Sequence, residues 1–362
     1  MRNQFYCITT FLITTFSIQA QDSLWMTKPK VDFSGYIETY YSYDFNKPET
    51  GIRQPFLYSF NRHNEFNINL GLVKVSVSNA KYRANLALQS GTYVSDNYAA
   101  EDEELRIISE ANVGISLNSK NNLWLDAGIL PSHIGFESAI GANNQNLTRS
   151  ILAENSPYFL TGAKLTYEPT SKWLMSVSIL NGWQRIKRLQ GNSLLSLGTQ
   201  LTYKKSDKLL FNWSTFIGSD SPDVDTKMRY FNNLYSQYKA TDKLNFTAGF
   251  DVGFQQKFKK SNGYYAWFSP VLISQYQLSE KWSSALRLEY YSDKYNVIVN
   301  PLATATPFEI SGSSLNFDYT PFKMAKIRFE ARYLNASEAV FARSTAFKED
   351  NLAITTSLSL QF

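Results

Sequence analysis

Apolar and polar residues alternate with a period of two from residue 31 to the end of the chain. Between Leu244 and Phe254, the even positions hold Leu, Phe, Ala, Phe, Val and Phe, whereas the odd positions hold Asn, Thr, Gly, Asp and Gly. Successive side chains of a β-strand point to opposite faces of a sheet. The pattern therefore predicts strands that have one apolar face and one polar face.

Sixteen such segments follow one another, and most have about the 9–11 residues that a tilted membrane strand needs. They cover residues 31–45, 64–77, 82–94, 105–117, 123–130, 158–168, 173–183, 193–203, 209–217, 228–238, 244–256, 264–278, 282–293, 308–319, 326–335 and 350–362. In the second segment the alternation slips, which predicts a β-bulge at Leu72–Val73. In the tenth segment the alternation is weak, because Phe231 and Tyr235 fall on the polar side.

The connections between these segments alternate strictly in length. Short connections lie at 79–81, 118–122, 169–172, 204–208, 239–243 and 279–281, and long ones at 46–63, 95–104, 131–157, 184–192, 294–307 and 336–349. Outer-membrane barrels join their strands by short periplasmic turns and longer extracellular loops. We therefore predict an all-β fold, a transmembrane antiparallel up-and-down β-barrel of about 16 strands, with both termini on the periplasmic side.

The distribution of charge decides which face meets the lipid. The apolar faces of the sixteen segments carry no Asp, Glu, Lys or Arg, whereas segment 326–335 places Lys326, Arg328, Glu330 and Arg332 on its other face. A basic residue at the bilayer midplane costs roughly 2–4 kcal/mol on the lipid face. The charges are therefore expected inside, in a water-filled lumen. The alternative is a large soluble β-barrel or sandwich with an uncharged core.

The first residues are typical of a secretory signal. Arg2 precedes an apolar stretch from Phe5 to Ile18, and Ala20 precedes the expected cleavage point. We therefore predict a signal peptide at 1–20 and a barrel at 21–362. Cys7 is the only cysteine, so the mature chain would contain no disulfide and no thiolate metal site, and no cofactor is expected. A formal net charge of +5 is too small and too scattered to indicate nucleic acid.

Several sequence motifs also resemble those of the OmpL-like β-barrel porin family of Gram-negative outer membranes. They are Arg62-His63-Asn64-Glu65-Phe66, 84–93 (ANLALQSGTY), Pro131-Ser132-His133-Ile134-Gly135-Phe136-Glu137, Leu147-Thr148-Arg149-Ser150, 153–158 (AENSPY) and 180–185 (LNGWQR). The resemblance spans nearly the whole mature chain and implies an outer-membrane barrel surrounded by lipid. The terminal Phe362 resembles the last residue by which the outer-membrane assembly machinery recognises such barrels.

Candidate catalytic chemistry is sparse. Only His63 and His133 could serve a metal site or a Ser-His-Asp triad, and hydrogen-bonded loop histidines are the simpler interpretation. The connection 131–157 is long enough to have a function or a structure of its own. In general porins, the loop in this position folds inward and narrows the barrel. By that likeness, Glu137, Arg149 and Glu154 are candidates for a constriction, and an external cap is the alternative.

The predicted function is a porin-like channel for passive diffusion of small hydrophilic solutes. The candidate pore-lining residues are Arg83, Glu137, Arg149, Glu154, Lys164, Asp251, Arg287, Glu289, Lys326, Arg328, Glu330 and Arg332. A basic stripe of Arg83, Arg287, Lys326, Arg328 and Arg332 would favour anions weakly, unless Glu289 and Glu330 neutralise it. The alternatives are a structural or adhesive barrel without an open pore and a barrel hydrolase. The oligomeric state stays open, a homo-oligomer included.

Overall fold

In a computed structural model that describes residues 27–301, 307–344 and 346–362, the chain forms one closed barrel. The sixteen barrel strands pair antiparallel with their neighbours in sequence, and the last strand closes the barrel against the first. The sixteen-strand prediction is confirmed. The predicted signal peptide at 1–20, including Cys7, lies outside the described residues.

The strand bounds agree with the alternation to within a few residues. The barrel strands are β1 Lys30–Asp44, β2 Phe66–Ser78, β3 Tyr82–Ser90, β4 Ile108–Ser116, β5 Leu123–Pro131, β6 Phe159–Thr170, β7 Trp173–Leu180, β8 Ser196–Ser206, β9 Leu209–Ser219, β10 Met228–Lys239, β11 Leu244–Gln256, β12 Tyr264–Gln277, β13 Trp282–Asp293, β14 Phe308–Phe322, β15 Ala325–Ala336 and β18 Asp350–Gln361. Strands β16 Phe341–Arg343 and β17 Ala346–Lys348 form a separate hairpin in the loop that precedes β18.

The helices are short and belong to the connections. They are α1 Thr92–Asn97, α2 Glu103–Arg106 and α3 Ile151–Glu154, together with 3₁₀ turns at Gly141–Asn143 and Asp223–Asp225. Within the described ranges, no helix has the length and apolar character needed to cross a membrane. The predicted end of the third strand at residue 94 is wrong. The strand ends at Ser90, and the backbone then forms helix α1, although the alternation of the sequence continues to residue 94.

Both ends of the barrel chain lie at the end that carries the short turns. Tyr36 of β1 pairs with Gln361 of β18. The backbone N–H of Gly35 donates to the carbonyl oxygen of Phe362 at 2.7 Å, and the N–H of Phe362 donates back to Gly35 at 3.0 Å. The terminal residue therefore completes the closing strand pair.

The two faces of the sheet differ as the alternation predicts. The outer face exposes apolar side chains such as Leu288, Leu315 and Phe329. Stacked ring pairs mark its short-turn end, with Trp173 and Tyr203 at 4.3 Å between centroids. Further ring contacts lie near the other end, among them Tyr230 with Tyr264 at 6.0 Å. An uncharged band between two aromatic girdles is the outer surface of a membrane barrel.

The irregularity in β2 lies three residues before the predicted position. Glu38 pairs with Leu70 and Thr39 with Ile68, so the extra residue is Asn69 and not Leu72–Val73. Leu70 therefore points inward, where it packs in an apolar cluster with Tyr36 and Tyr93. The prediction was wrong because it assigned every leucine of this strand to the apolar outer face.

The interior near the long loops is apolar, which corrects the expectation of a polar lumen along its whole length. Inward-facing rings of Phe216, Phe231, Trp267, Tyr291 and Phe308 are all at most 2% exposed. They form one cluster with side chains of the long loops, among them Phe56, Leu57, Val299, Val340 and Phe341. The weak alternation of β10 has its cause here, because Phe231 is an inward residue of this cluster.

We expect the substitution Gly128→Ala to destabilise the barrel. Gly128 in β5 has a φ of 128°, a conformation that side chains rarely adopt. A Cβ there would lie 2.2 Å from the carbonyl oxygen of Ala111 on β4. The variant should lose its folded, compact band on unheated detergent gels at a lower temperature than the parent. Gly71→Ala, where the nearest atom is 3.8 Å from the added Cβ, is the control and should leave that temperature unchanged.

Candidate pore and its inserted loop

The connection between β5 and β6 lies inside the barrel. Residues 132–158, which we call the inserted loop, cross the lumen at the height of the middle of the strands, and most of their side chains from Leu147 to Pro157 are buried. Ser150 caps the short helix α3 by accepting a hydrogen bond from the N–H of Ala153 at 3.2 Å. The inserted loop therefore contains a short helix of its own, which ends at Glu154.

The first part of the inserted loop rests on β8–β11. The His133 ring lies over Gly198 and the Phe136 ring over Gly249, where an added Cβ would come within 2.6 and 2.3 Å of these rings. Gly135 donates to the side chain of Asn233 at 3.1 Å. The glycines therefore leave recesses in the wall, and side chains of the loop fill them.

Burial, supported by the nearby Lys164 ammonium, lowers the pKa of His133. Its imidazole is therefore neutral at physiological pH. Its Nε2 lies 2.9 Å from the carbonyl oxygen of Thr215 and must carry the proton to donate there.

The middle of the inserted loop is bound by the charged side chains of β13–β15. Arg328 donates to the carbonyl oxygens of Gly141 at 2.6 Å and Asn144 at 3.0 Å. Thr148 donates through its N–H to Glu330 at 2.8 Å, and the N–H of Ile151 donates to Glu289 at 2.8 Å. The backbone of the loop, which has few partners of its own, is therefore satisfied by the barrel wall.

Arg149 fastens the inserted loop to itself. Its guanidinium donates to the carbonyl oxygens of Ser138, at 2.9 Å, and Ala139. It also lies 5.2 Å from the ring centroid of Tyr93 and 5.7 Å from that of Tyr158, at distances typical of cation–π contacts. Arg149 is fully buried, so it braces the loop and presents no charge to water.

The two acidic candidates of the loop are also buried. Glu137 accepts hydrogen bonds from Ser150, and Glu154 accepts one from the N–H of Tyr58 at 2.9 Å. Burial raises the pKa of both carboxyls. Glu154 therefore joins the inserted loop to the extracellular loop 45–65, whereas Glu137 joins two parts of the inserted loop to each other.

Four of the five residues of the predicted basic stripe, all except Arg83, are part of a neutral network. Arg332 bonds Glu289 at 2.7 Å, Arg287 bonds Glu330 at 3.1 Å, and Arg328 bonds Asp318 at 2.7 Å. Lys326 lies 3.9 Å from Asp318, and Arg287 lies 3.9 Å from Glu137. Four cations and four carboxylates thus compensate one another. The expectation that Arg287 and Arg328 meet water is wrong, because the inserted loop covers them.

Asp251 is covered in the same way. It accepts hydrogen bonds from Asn233 at 2.6 Å and from Ser156 of the inserted loop at 2.9 Å, and it is 3% exposed. The register that placed Asp251 inside and Phe250 outside is nevertheless correct, since Phe250 is exposed on the outer face. The sequence assigned each side chain to a face of the sheet without showing what lies against that face.

Water reaches the inner wall on the opposite side, along β2–β6. Arg83 bonds Asp126 at 2.6 Å and its side chain is 35% exposed, and Lys74 bonds Glu110 and is 29% exposed. Lys164 is partly exposed on the same wall. A cavity of about 500 Å³ lies between the inserted loop and this wall, with Leu72, Lys74 and Glu110 on one side and Phe136 and Tyr235 on the other. Of the predicted set, Arg83 and Lys164 thus face the open side.

Sequence reasoning did not select Lys74 as a candidate for the pore. Lys74 lies between Val73 and Val75, which are both on the outward face of β2, so the alternation does contain the signal that it points inward. The bulge was predicted at Leu72–Val73, directly before Lys74, and this left the orientation of the Lys74 side chain ambiguous.

Labelling of single cysteines should separate the covered wall from the open one. We expect Asn85→Cys on β3 to react rapidly with a water-soluble thiol reagent, because Asn85 is partly exposed toward the lumen. Ser314→Cys on β14 should react slowly, because Ser314 is 2% exposed and lies against Asn146 of the inserted loop. Equal rates at the two sites would contradict the described position of the loop.

The family model described as "Putative beta-barrel porin-2, OmpL-like" matches residues 30–362. Similar solved structures include the anion-selective porin from Comamonas acidovorans, with a TM-score of 0.60, 10% identity and coverage of 92% of this chain and 100% of that chain.

OmpT of Vibrio cholerae in its trimer form has a TM-score of 0.61 and 9% identity, with 93% and 100% coverage. Salmonella typhi OmpF in complex with daunomycin has a TM-score of 0.58 and 12% identity, with 92% and 98% coverage. The comparison with curated proteins finds no match. At these identities the structures show the shared fold, whereas the family model covers nearly the whole described chain. The chain belongs to the OmpL-like β-barrel porin family and is an outer-membrane channel protein of the Gram-negative type.

Proposed function

We propose that the protein lets small hydrophilic solutes diffuse passively between the inserted loop and the wall of β2–β6. The observation that carries this proposal is the asymmetry of the lumen. Charged side chains on β13–β15 are covered, whereas Lys74, Arg83 and Lys164 are partly exposed. Lys74 also lines a cavity of about 500 Å³. A partly wet, charged wall opposite a fixed loop is the arrangement of a constricted pore.

The hydrolase alternative finds little support at the histidines. His133 is neutral and bound to a backbone carbonyl, as described above. His63 accepts a hydrogen bond at Nδ1 from the N–H of Asp44 at 3.0 Å, and burial lowers its pKa. Across the described part of the chain, neither ring is hydrogen-bonded to a serine hydroxyl or a carboxylate. A nucleophile–base pair needs such a bond, and we therefore propose a non-enzymatic channel.

A closed structural or adhesive barrel is the second candidate, and one observation favours it. The apolar cluster at the extracellular end brings Phe56 and Leu57 of loop 45–65, and Phe341 of the β16–β17 hairpin, against the inner wall. These side chains close part of the outer mouth. Loop movement there would have to accompany permeation, whereas a permanently closed barrel would need none.

Three proposed partners rest on the fold and on Phe362. The outer face with its aromatic girdles fits outer-membrane lipid. Phe362 ends the closing strand and remains 64% exposed, which fits recognition of the C-terminal strand by the assembly machinery. A homo-oligomer is proposed from the trimer form of OmpT, which shares the fold.

Current through single barrels in a planar bilayer tests the proposed function. The purified full-length mature protein should produce discrete conductance steps in potassium chloride. A bilayer that stays silent, while detergent gels show the folded barrel, would rule out the diffusion channel and favour the structural barrel.

A further inference from the structure

Lys164 differs from the other charged residues of the open wall because it has no carboxylate partner. Lys74 is bonded to Glu110 and Arg83 to Asp126. Among the described residues, no carboxylate oxygen lies within 4.0 Å of the Lys164 ammonium. The buried network on the other wall is neutral, whereas Lys164 is an uncompensated cation beside the proposed path.

The groups that face Lys164 do not supply the missing charge. Asp126 lies directly opposite on β5, but Arg83 holds both of its carboxylate oxygens, at 2.7 and 2.6 Å. Glu110 is engaged by Lys74. His133 of the inserted loop is neutral and is bound to Thr215. The neighbourhood of Lys164 therefore carries a net positive charge.

Two hydroxyl groups without partners lie next to this lysine. Thr166 follows Lys164 on the inward face of β6 and pairs with Ser176 on β7, while Lys164 pairs with Ser178. Thr166 and Ser176 are 6% and 5% exposed. Both hydroxyl oxygens are buried and have no hydrogen-bond partner among the described residues. Buried hydroxyls of this kind are rare, because leaving them unpaired is unfavourable.

The spacing of these groups suits one small ligand. Residues two apart on a strand lie about 7 Å apart, and directly paired residues lie about 5 Å apart. An ammonium on a flexible stem and two buried hydroxyl donors therefore lie within a patch of that size. An ammonium and hydroxyls can all donate to one acceptor, so an oxyanion satisfies them together, whereas a cation or an apolar molecule does not.

We propose that Lys164, Thr166 and Ser176 form a binding site for a small oxyanion, such as sulfate, phosphate or a carboxylate, on the wall of the lumen. The inference rests on the proposed function in so far as the site lies along the solute path. It assigns selectivity to one lysine, in place of the stripe of arginines that the sequence suggested.

Sulfate is the probe that tests this site. In the mature barrel, millimolar sulfate should raise the thermal unfolding temperature and reduce the chloride current. Lys164→Gln should weaken both effects about tenfold in sulfate concentration and shift the reversal potential toward cations. Lys164→Arg should retain them. Thr166→Val with Ser176→Ala should weaken sulfate binding while the reversal potential stays near that of the parent.

Lys74→Gln is the matched control, because it removes one positive charge from the same wall at a lysine that is already paired. It should keep the sulfate effect on unfolding. The site is refuted if Lys164→Gln responds to sulfate as the parent does, or if Lys74→Gln loses the response equally. A silent bilayer together with a Lys164-dependent thermal shift would refute the channel and leave the site standing, so the two failures are distinguishable.

Discussion

Replacing residues 140–152 by a short Gly-Ser linker should raise the single-channel conductance several-fold. This segment contains carbonyl groups that accept hydrogen bonds from Arg328. It also contains the N–H groups of Thr148 and Ile151, which donate to Glu330 and Glu289 respectively. Its removal would uncover the wall of β13–β15 while leaving all sixteen strands intact. Because the conductance of a pore follows its narrowest cross-section, the effect should exceed that of any single substitution described above.

Replacing the connection 257–263 by a short Gly-Ser linker is the control for effects that come from shortening any loop. It joins β11 to β12 at the barrel rim, where Phe258 is 63% exposed, and its loss should leave the conductance unchanged. Ser314→Cys should also become reactive to a water-soluble thiol reagent in the linker variant. An unchanged conductance together with a still protected Ser314→Cys would mean that another element closes the lumen.

The barrel itself could be predicted because strand geometry and lipid impose local rules. A charged residue in lipid is costly and successive side chains alternate, so Phe250 and Asp251 could be assigned to opposite faces from the sequence alone. The same rules failed at Leu70 and Phe231. Both are apolar residues that point inward, because loop side chains meet them there and supply an apolar environment that no local pattern records.

The candidate site was less predictable, because contacts between residues far apart in the chain determine which of its charged side chains are paired or covered. Arg328 was correctly assigned to the interior, but its partners Gly141 and Asn144 are 187 and 184 residues away. The sequence showed several inward cations and could not show which of them are paired with a carboxylate. Lys164 could be identified as unpaired only from the structure, because the neighbouring carboxylates Glu110 and Asp126 are already bound by Lys74 and Arg83.

Arg328→Gln should release the inserted loop from the wall. The substitution removes donors to three carbonyl oxygens, those of Gly141, Asn144 and Gln145, and leaves Asp318 with Lys326 at 3.9 Å as its nearest cation. Breaking a buried ion pair by removing one partner costs about 3–5 kcal/mol. This free-energy cost should weaken the binding of the inserted loop to the wall and not the barrel itself, because the strands keep their own hydrogen bonds.

The release can be followed at Ala153→Cys, a small change at a position in helix α3 that is 5% exposed. This cysteine should be protected from a water-soluble thiol reagent in the parent barrel and react in the Arg328→Gln background, with larger and noisier current steps. Arg83→Gln is the matched control, because it removes the same charge and also breaks an Arg–Asp pair. Arg83 bonds Asp126 of β5 and, among the described residues, makes no hydrogen bond to the inserted loop. Both variants remove one positive charge from the lumen. If the cysteine of Ala153→Cys reacts with the reagent in both, the change in net charge is the cause of loop release. Exposure with Arg328→Gln alone would trace it to the hydrogen bonds that Arg328 makes.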